Sequence, residues 1–235
     1  MADFVVEFGK GEDPPSDGRL HGPAFARNHA PIWSVIAPYL EGRTGDVVEI
    51  GSGTGQHVIE YARRAPAVTW WPSDINPKHL ASIAAWRARA QLENVQAPAR
   101  VDLLDADWDV GLPARDRLLA ILCINVLHIS PWRVTENLLA GAGRRLAPDG
   151  HIFVYGPFMR EGAHTAPSNA AFDASLRAEN AAWGVRDTGD IAAAAERCGL
   201  RIAAIAPMPR DNFTLVIEPI ASKTKIQAIY NAKMR

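Results

Sequence analysis

The segment 49–57 reads Glu-Ile-Gly-Ser-Gly-Thr-Gly-Gln-His, follows an apolar stretch and opens a stretch with helical periodicity. Glycines allow a tight turn and let a ligand approach the backbone closely. Such a turn presents backbone N–H groups at the start of a helix, where a carboxylate or phosphate is stabilised. The spacing disfavours the dinucleotide-binding fingerprint, because the position three residues after Gly53 is Gln56 and not glycine. A purely structural glycine-rich turn is the alternative interpretation.

Asp74 is the second residue that points to a nucleoside ligand, because it follows the next strand-like stretch of the chain. In open α/β sheets, an acidic residue at the end of the second strand accepts hydrogen bonds from a ribose diol. The alternative is a structural role, in which Asp74 or Asn76 caps the helix that begins near Pro77.

Strands and helices alternate around these residues. The hydrophobic patterns predict seven strands, at 46–51, 68–73, 99–104, 118–124, 151–155, 201–205 and 212–218. They predict helices at 28–40, 56–64, 77–91, 132–146 and 188–198, the first of them capped by Asn28. This alternation is typical of right-handed βαβ units and of a parallel sheet covered on both faces. We therefore expect a doubly wound α/β domain with a seven-stranded, mostly parallel sheet and an antiparallel last strand.

Two segments interrupt this alternation. Residues 9–23 are rich in Gly, Pro and Asp and are predicted to form a loop, whereas 157–186 is a long polar and aromatic connection of the kind that often serves as a lid. We expect a loop and cap helix in residues 1–40, a main domain in 41–220 with a lid-like insertion at 157–186, and a tail at 221–235 with a short basic helix. In the insertion, His164, Ser168, Asn169 and Asp173 are expected to contact a substrate or, alternatively, to tie the segment down.

The composition is that of an ordinary globular protein, with 235 residues, 48% hydrophobic and 22% charged, and a formal net charge of −1. Disordered and fibrous classes are therefore excluded, and no nucleic-acid partner is expected. Cys123 and Cys198 are expected to be small buried hydrophobic residues in a reducing compartment. The longest uncharged stretch, 118–132, is too short to span a membrane, and the first ten residues do not resemble a signal peptide. We expect a cytoplasmic protein without membrane association.

The glycine segment and Asp74 together resemble the class I S-adenosylmethionine (SAM)-dependent methyltransferases. In that superfamily, E-x-G-x-G-x-G and an acidic residue after the second strand form the nucleoside site. The resemblance implies that Asp102, or its competitor Asp105, contacts the adenine amino group. It also implies that the residue after Asp102 lines the ring and that the segment beginning at Asn125 borders the methionine part of SAM.

A narrower resemblance is to the domain of unknown function 938 family, which includes methyltransferase-like protein 26. It covers about residues 24–218 and rests on Arg27-Asn28, Gly53-Thr-Gly-Gln-His57, Trp71-Pro-Ser-Asp74, Asn125 to Trp132, Tyr155-Gly-Pro-Phe158 and 164–173. The family implies the Rossmann-like fold and the cofactor, but it does not supply a substrate.

The patterns thus predict a SAM-dependent methyltransferase that acts on a small molecule and releases S-adenosylhomocysteine (SAH). The predicted cofactor-binding residues are Arg27, Glu49, Gly51, Ser52, Gly53, Gly55, Gln56, His57, Asp74, Ile75, Asp102, Leu103, Asn125 and Val126. Arg27 is expected to reach the cofactor or the acceptor from the cap, since a guanidinium can bind the carboxylate of SAM through two hydrogen bonds. The alternative is a solvated arginine on a surface helix. The catalytic candidates are His128, as general base or structural hydrogen-bonder, and Tyr155, as a pocket or core residue. His164 and Asn169 are the substrate candidates.

No metal is expected, because Asn125 stands where metal-dependent catechol-type methyltransferases carry an acidic ligand. Two other classes of function remain open. One is a nicotinamide-dependent oxidoreductase, which the missing third glycine disfavours. The other is a SAM-binding regulatory or interaction protein without turnover. The sequence leaves the acceptor molecule and the oligomeric state open.

Overall fold

A computed structural model describes residues 16–112 and 117–220. Its strands are β1 (Gly45–Ile50), β2 (Val68–Asp74), β3 (Ala99–Arg100), β4 (Leu118–Ile124), β5 (Leu146–Arg160), β6 (Ala163–His164), β7 (Arg186–Asp187), β8 (Leu200–Met208) and β9 (Asn212–Pro219). Its α-helices are α1 (Phe25–Leu40), α2 (Gln56–Arg64), α3 (Pro77–Ala90), α4 (Trp132–Arg145), α5 (Pro167–Glu179) and α6 (Thr188–Arg197), and 3-10 helices lie at Leu127–Ile129 and Pro209–Asp211. The predicted basic helix of the tail and residues 9–15 of the predicted N-terminal loop lie outside the described residues.

The main path of the sheet has seven strands in the order β3-β2-β1-β4-β5-β9-β8, with the short β6 and β7 paired to β5. Strands β3, β2, β1, β4 and β5 pair in parallel, and β9 runs antiparallel to both β5 and β8. This confirms the predicted seven-stranded, mostly parallel sheet with an antiparallel last strand. After β1 the chain moves to β2 on one side, and β4 pairs on the other side, so the carboxyl ends of β1 and β4 flank a switch point where ligands bind in such folds.

The core consists of one apolar cluster on each face of the sheet. Helices α4 and α6 cover one cluster, and α1 and α2 cover the other. Every residue of β4 is buried, because this central strand packs helices on both faces. Its apolar run, 118–124, therefore matches the predicted strand in full. No helix in the described part of the chain combines the length and apolarity needed to cross a membrane.

The first helix differs from the prediction, because Asn28 is not its N-cap. The helix begins at Phe25, whose N–H donates to the carbonyl of Gly22 at 3.1 Å, and the carbonyl of Ala24 accepts from the N–H groups of Arg27 and Asn28. Asn28 lies inside α1 and is 3% exposed. A polar residue that packs inward on a helix cannot be distinguished from a cap by local sequence.

Strands β3, β5 and β8 differ in length from the predicted ranges by four residues or more, β8 because it spans Leu200–Met208. Strand β3 ends at Arg100 because the next residues turn, with Asp102 Oδ1 accepting from the N–H of Leu104 at 2.9 Å. Strand β5 begins at Leu146 and includes the predicted turn 148–150 as an irregularity in its pairing with β4. It continues past Tyr155 because β6 and β7 pair with Phe158–Arg160. The insertion 157–186 is therefore built from the end of β5, β6, α5 and the first residue of β7.

Candidate functional site

A cavity opens at the carboxyl ends of β1 and β4 and encloses about 1030 Å³, part of it open to solvent. Ten of the fourteen predicted cofactor-binding residues line it, namely Glu49, Gly51, Ser52, Gly53, His57, Asp74, Ile75, Leu103, Asn125 and Val126. The sheet topology thus brings together residues that are far apart in sequence.

The glycine segment forms the turn between β1 and α2, and two of its glycines are required for close packing. Gly51 has φ +65°, and a Cβ there would lie 2.5 Å from Cγ2 of Val126. Gly55 precedes α2 with φ +90°, and a Cβ there would lie 2.9 Å from Cα of Ile83 in α3. Both positions therefore need a residue without a side chain. Gly55 supports the loop from behind and does not itself line the cavity.

Asp74 joins the glycine loop to the start of α3. Its Oδ2 accepts from the N–H of Gly53 at 2.8 Å, and its Oδ1 accepts from the N–H of Asn76 at 2.9 Å and lies 3.2 Å from Nδ1 of His79. Asn76 is the cap of α3, since its Oδ1 accepts from the N–H of Lys78. A carboxylate oxygen accepts up to two hydrogen bonds, so Oδ2 retains capacity for a ligand hydroxyl.

Glu49 stands on the cavity wall at the end of β1 and is only 1% exposed. Its Oε2 is buried and has no hydrogen-bond partner within the described residues. The pKa of Glu49 is raised to about 8, mainly by burial; a hydrogen bond from Ser52 opposes this rise, and the negative charge of Asp74 adds to it. The carboxyl group is therefore neutral at pH 7 in the ligand-free protein.

The N-terminus of α1 forms the opposite wall of the cavity. Phe25 lines it and meets the ring of His57 edge-on, with 5.1 Å between the ring centroids. His57 Nε2 lies 2.8 Å from Oδ1 of Asn28, an acceptor, which places the proton on Nε2. Burial, with a smaller effect of His29, lowers the pKa of His57 to about 3. The wall is thus aromatic and uncharged at neutral pH.

Gln56 holds the segment that precedes α1 and does not line the cavity. Its Oε1 accepts from the N–H of Gly22 at 2.6 Å. Two further hydrogen bonds join Leu20 to α3, from its N–H to Oγ of Ser82 and from Nε1 of Trp86 to its carbonyl. The described part of the predicted loop, 16–23, therefore contacts α2 and α3, and Gly22 contributes to the cavity.

At the predicted adenine end, the neighbours of Asp102 line the cavity and Asp102 does not. Val101 and Leu103 are buried and face it. The side chain of Asp102 instead accepts from the N–H of Leu104, and Asp105 is exposed and accepts from the N–H of Asp107. Each aspartate stabilises its own turn, and the choice between them as an adenine ligand stays a prediction.

The two catalytic candidates, His128 and Tyr155, are buried and are not among the residues that line the cavity. Burial, together with the charge of Arg186, lowers the pKa of His128 to about 4, and its ring packs near Gly156 and against Phe172. Tyr155 is 6% exposed and belongs to the core beneath α1. Burial raises the pKa of Tyr155, and the amides of Asn212 and Asn28 and the charge of Arg27 oppose that shift.

The remaining candidates do not reach the cavity. The guanidinium of Arg27 donates to the carbonyl of Pro23 at 2.9 Å, and the residue is exposed. Nδ2 of Asn169 donates to Oγ1 of Thr165 and to the carbonyl of Asp211. His164 Nε2 lies 3.5 Å from Oδ2 of Asp173. These contacts tie α5 to its surroundings, and roles for Arg27, His164 and Asn169 in ligand binding stay predictions.

Sequence reasoning missed eleven of the residues that line the cavity, among them Gly22, Phe25 and His79. No local signal in the sequence assigns these three residues to the site. Within the residues that the structure describes, no group of three or more His, Cys, Asp or Glu side chains is arranged to hold a metal ion.

The fold is similar to those of solved methyltransferases. An O-methyltransferase family protein from Burkholderia thailandensis superposes with a TM-score of 0.68 at 20% sequence identity, over 85% of this chain and 58% of that one. CalO1, a methyltransferase in calicheamicin biosynthesis in its SAH-bound form, gives 0.63 at 17% identity over 81% and 54%. NcsB1, an O-methyltransferase from neocarzinostatin biosynthesis in complex with SAM and 2-hydroxy-5-methyl naphthoic acid, gives 0.58 at 16% identity over 74% and 49%.

These likenesses establish a methyltransferase Rossmann-like fold, as the sequence predicted. The chain spans about half of the length of each of these proteins. In addition, residues 19–218 match the family model described as Protein of unknown function (DUF938).

Proposed function

The chain belongs to the DUF938 family, and from the cavity at its switch point we propose that it binds SAM and transfers the sulfonium methyl group to a small-molecule acceptor, leaving SAH. The observation that carries this proposal is the convergence of the glycine turn, Asp74 and Glu49 on one cavity. Proteins of similar fold supply further support, since CalO1 holds SAH and NcsB1 holds SAM with an aromatic acid.

The residues of the cavity fit the chemical parts of SAM. Free hydrogen-bonding capacity on Oδ2 of Asp74 suits the ribose diol, and the buried apolar side chains of Val101 and Leu103 suit the adenine ring. Glu49 offers a carboxyl oxygen that has no hydrogen-bond partner among the residues the structure describes, which suits a positively charged group. An apolar slot between polar ends is the usual form of a cofactor site.

When bound, SAM supplies a methyl group that is already activated by the sulfonium charge. The protein therefore contributes mainly position, orientation and exclusion of water. Gly22 and Phe25 cover the cavity from the N-terminal side and are anchored through Gln56 and α3. We infer that this cover holds SAM and shields the acceptor from solvent.

His128 and Tyr155 are our candidates for the group that accepts a proton from the methyl acceptor. His128 is uncharged at neutral pH and its ring lies beside Gly156, at the end of the parallel part of β5. An uncharged imidazole has a nitrogen free to accept a proton, and the lowered pKa of His128 makes it a weaker base than an ordinary histidine. Neither side chain is among the residues that line the cavity, so a role in proton transfer requires the acceptor to reach them.

Thermal melts with SAM, SAH and NAD test the cofactor. Either SAM or SAH should stabilise the fold by about 2.7 kcal/mol at 100 times its dissociation constant, because it binds only the folded state. NAD should produce no shift. A shift with NAD and none with SAM or SAH would show that the proposal is wrong.

Turnover is tested by supplying SAM labelled in its methyl group together with a cellular small-molecule extract. Methyl transfer predicts SAH and a labelled product that exceeds its unlabelled precursor by one methylene unit. Binding of SAM without SAH formation from any extract would favour a regulatory protein instead.

A further inference from the structure

We propose that Glu49 releases its proton when SAM binds and becomes the counter-charge of the cationic methionine part of the cofactor, so that SAM affinity depends on pH. The inference rests on the proposed function and adds a proton to the binding equilibrium. The proton passes from the Glu49 carboxyl group to the solvent, and no other bond changes.

The position of Glu49 is the first argument. Glu49 faces the side of the sheet that α1 and α2 cover, because Val47, two residues earlier in β1, packs into the apolar cluster on that side. Glu49 also lines the cavity. Oε2 is buried without a partner among the described residues. A buried carboxyl oxygen without a partner is unfavourable, and a cavity on the same side allows a ligand to supply one.

The charges around Glu49 are the second argument. The loop after β1 presents the neutral Ser52, and β2 presents the negative Asp74; these two and burial itself are the influences on the Glu49 pKa. On α2, His57 is neutral and Tyr61 has its pKa raised, in part by Glu49, and on β4 the thiol of Cys123 responds to Glu49 in the same way. None of these groups is a cation that could hold Glu49 in its ionised form.

The cofactor brings the missing cation. SAM carries a positive ammonium and a positive sulfonium, and a buried cation beside a neutral acid would lack a partner. Ionisation of Glu49 gives the cation a negatively charged partner and releases one proton. By linkage, a ligand that favours the ionised acid lowers its pKa, and its own affinity rises with pH until the acid of the free protein has ionised.

Isothermal titration of the full-length protein with SAM at pH 7, in buffers of different ionisation enthalpy, tests this inference. The observed enthalpy should vary with the buffer and indicate about one proton released per SAM bound. Affinity should rise by up to about tenfold per pH unit between pH 6 and 7 and level off above about pH 8. A parallel titration with SAH identifies which positive charge pairs with Glu49. Proton release with both ligands indicates the ammonium group, and proton release with SAM alone indicates the sulfonium group.

Glu49→Gln is the decisive variant, because glutamine mimics the neutral acid but cannot ionise. It should bind SAM without the proton release and without the pH dependence, and any residual proton exchange belongs to the ligand. Glu60→Gln is the matched control, since Glu60 lies on α2, pairs with Arg64 and is remote from the cavity lining. It should behave as the wild type.

The outcomes separate this inference from the proposed function. If SAM and SAH fail to bind the wild type, the proposed function is wrong. If SAM binds with no proton release and with an affinity independent of pH from 6 to 8, only the role of Glu49 is wrong. Titration of the wild type in the different buffers tests proton release by itself, even if Glu49→Gln does not fold.

Discussion

Two buried carboxyl groups, Asp74 and Glu49, face the same cavity in different surroundings. Asp74 accepts hydrogen bonds from the backbone N–H groups of Gly53 and Asn76 and lies beside His79. Glu49 is buried, its Oε2 has no partner in the part of the chain that the structure describes, and the charge of Asp74 is nearby, which favours the neutral form of Glu49. The different surroundings suit different tasks: Asp74 suits hydrogen bonds to hydroxyl groups, and Glu49 suits a cation.

Replacing Asp74 with alanine should abolish most of the stabilisation by SAM and also weaken the ligand-free protein. The second effect is expected because the change leaves buried N–H donors of the loop and of Asn76 without acceptors, at about 1–3 kcal/mol. Denaturant unfolding and SAM melts measure both. Asp187→Ala is the control, since Asp187 also accepts from two backbone N–H groups, those of Gly162 and Gly189, and does not line the cavity. Full retention of the SAM shift in Asp74→Ala would remove the residue from the site.

Gly51→Ala should destabilise the protein by clearly more than Gly42→Ala. Both residues have positive φ, +65° and +69°, so alanine incurs about 1–2 kcal/mol of backbone strain at either position. Only at Gly51 would the new Cβ collide with Val126, whereas nothing lies within 4 Å at Gly42. Urea unfolding of both variants checks the difference, and equal losses would mean that Val126 moves aside freely.

At the scale of elements, the cavity is bounded by segments that differ in how they are held. The glycine turn belongs to β1 and α2, but the cover formed by Gly22 and Phe25 depends on side-chain hydrogen bonds to Gln56 and Ser82. The insertion depends on Asp173, whose Oδ1 accepts from the N–H of Val185 at 2.7 Å and whose Oδ2 accepts from Arg177. Segments that depend on a few polar contacts open more readily than the sheet.

Hydrogen exchange should therefore show the insertion 157–186 opening more readily than the sheet in the ligand-free protein and becoming protected when cofactor and acceptor are bound. Asp173→Ala should raise exchange at Val185 and along α5 while leaving β4 protected, because it removes the acceptor of a buried amide. Asp190→Ala, in the exposed first turn of α6, serves as control. Protection of the insertion that equals the sheet and ignores ligands would make it a fixed part of the core.

At the scale of the whole molecule, buried titratable groups set opposite pH trends in stability. For His57 and His128 the folded-state pKa is lowered, so their stabilising effect is present above about pH 6.5 and is lost as pH falls through 6.5 toward 4 and 3. For Glu49 the folded-state pKa is raised above the unfolded-state pKa of 4.5. Its contribution to the free energy of unfolding is therefore largest below pH 4.5 and is lost as pH rises through about 8.

His128→Phe should make the protein less sensitive to acid. In the wild type, protonation of this histidine in the unfolded chain lowers the free energy of unfolding by about 2 kcal/mol between pH 7 and pH 5. The variant lacks that loss. Comparing each protein with itself at the two pH values cancels any constant packing defect. An unchanged pH difference would show that His128 is protonated in the folded state.

The sequence by itself determined the sheet and the loop at its centre. The helix 56–64 and the strand 118–124 have the predicted bounds, because a short periodic pattern with strong end signals is a local property. The glycine turn and Asp74 were predicted for the same reason, and they meet at one cavity because parallel strands end at one edge.

Only the tertiary structure decided which polar residues face the ligand and which hold the fold. Gln56 anchors Gly22, Asn28 pairs with His57 inside α1, and Asp102 stabilises its own turn. Gln56, Asn28 and Asp102 all have side chains that often bind ligands. Here, however, their hydrogen-bond partners are other parts of the protein, either in another element or in the same turn. The neutral state of Glu49 likewise depends on burial by segments distant in sequence, because desolvation is a property of the packed molecule and not of the residue.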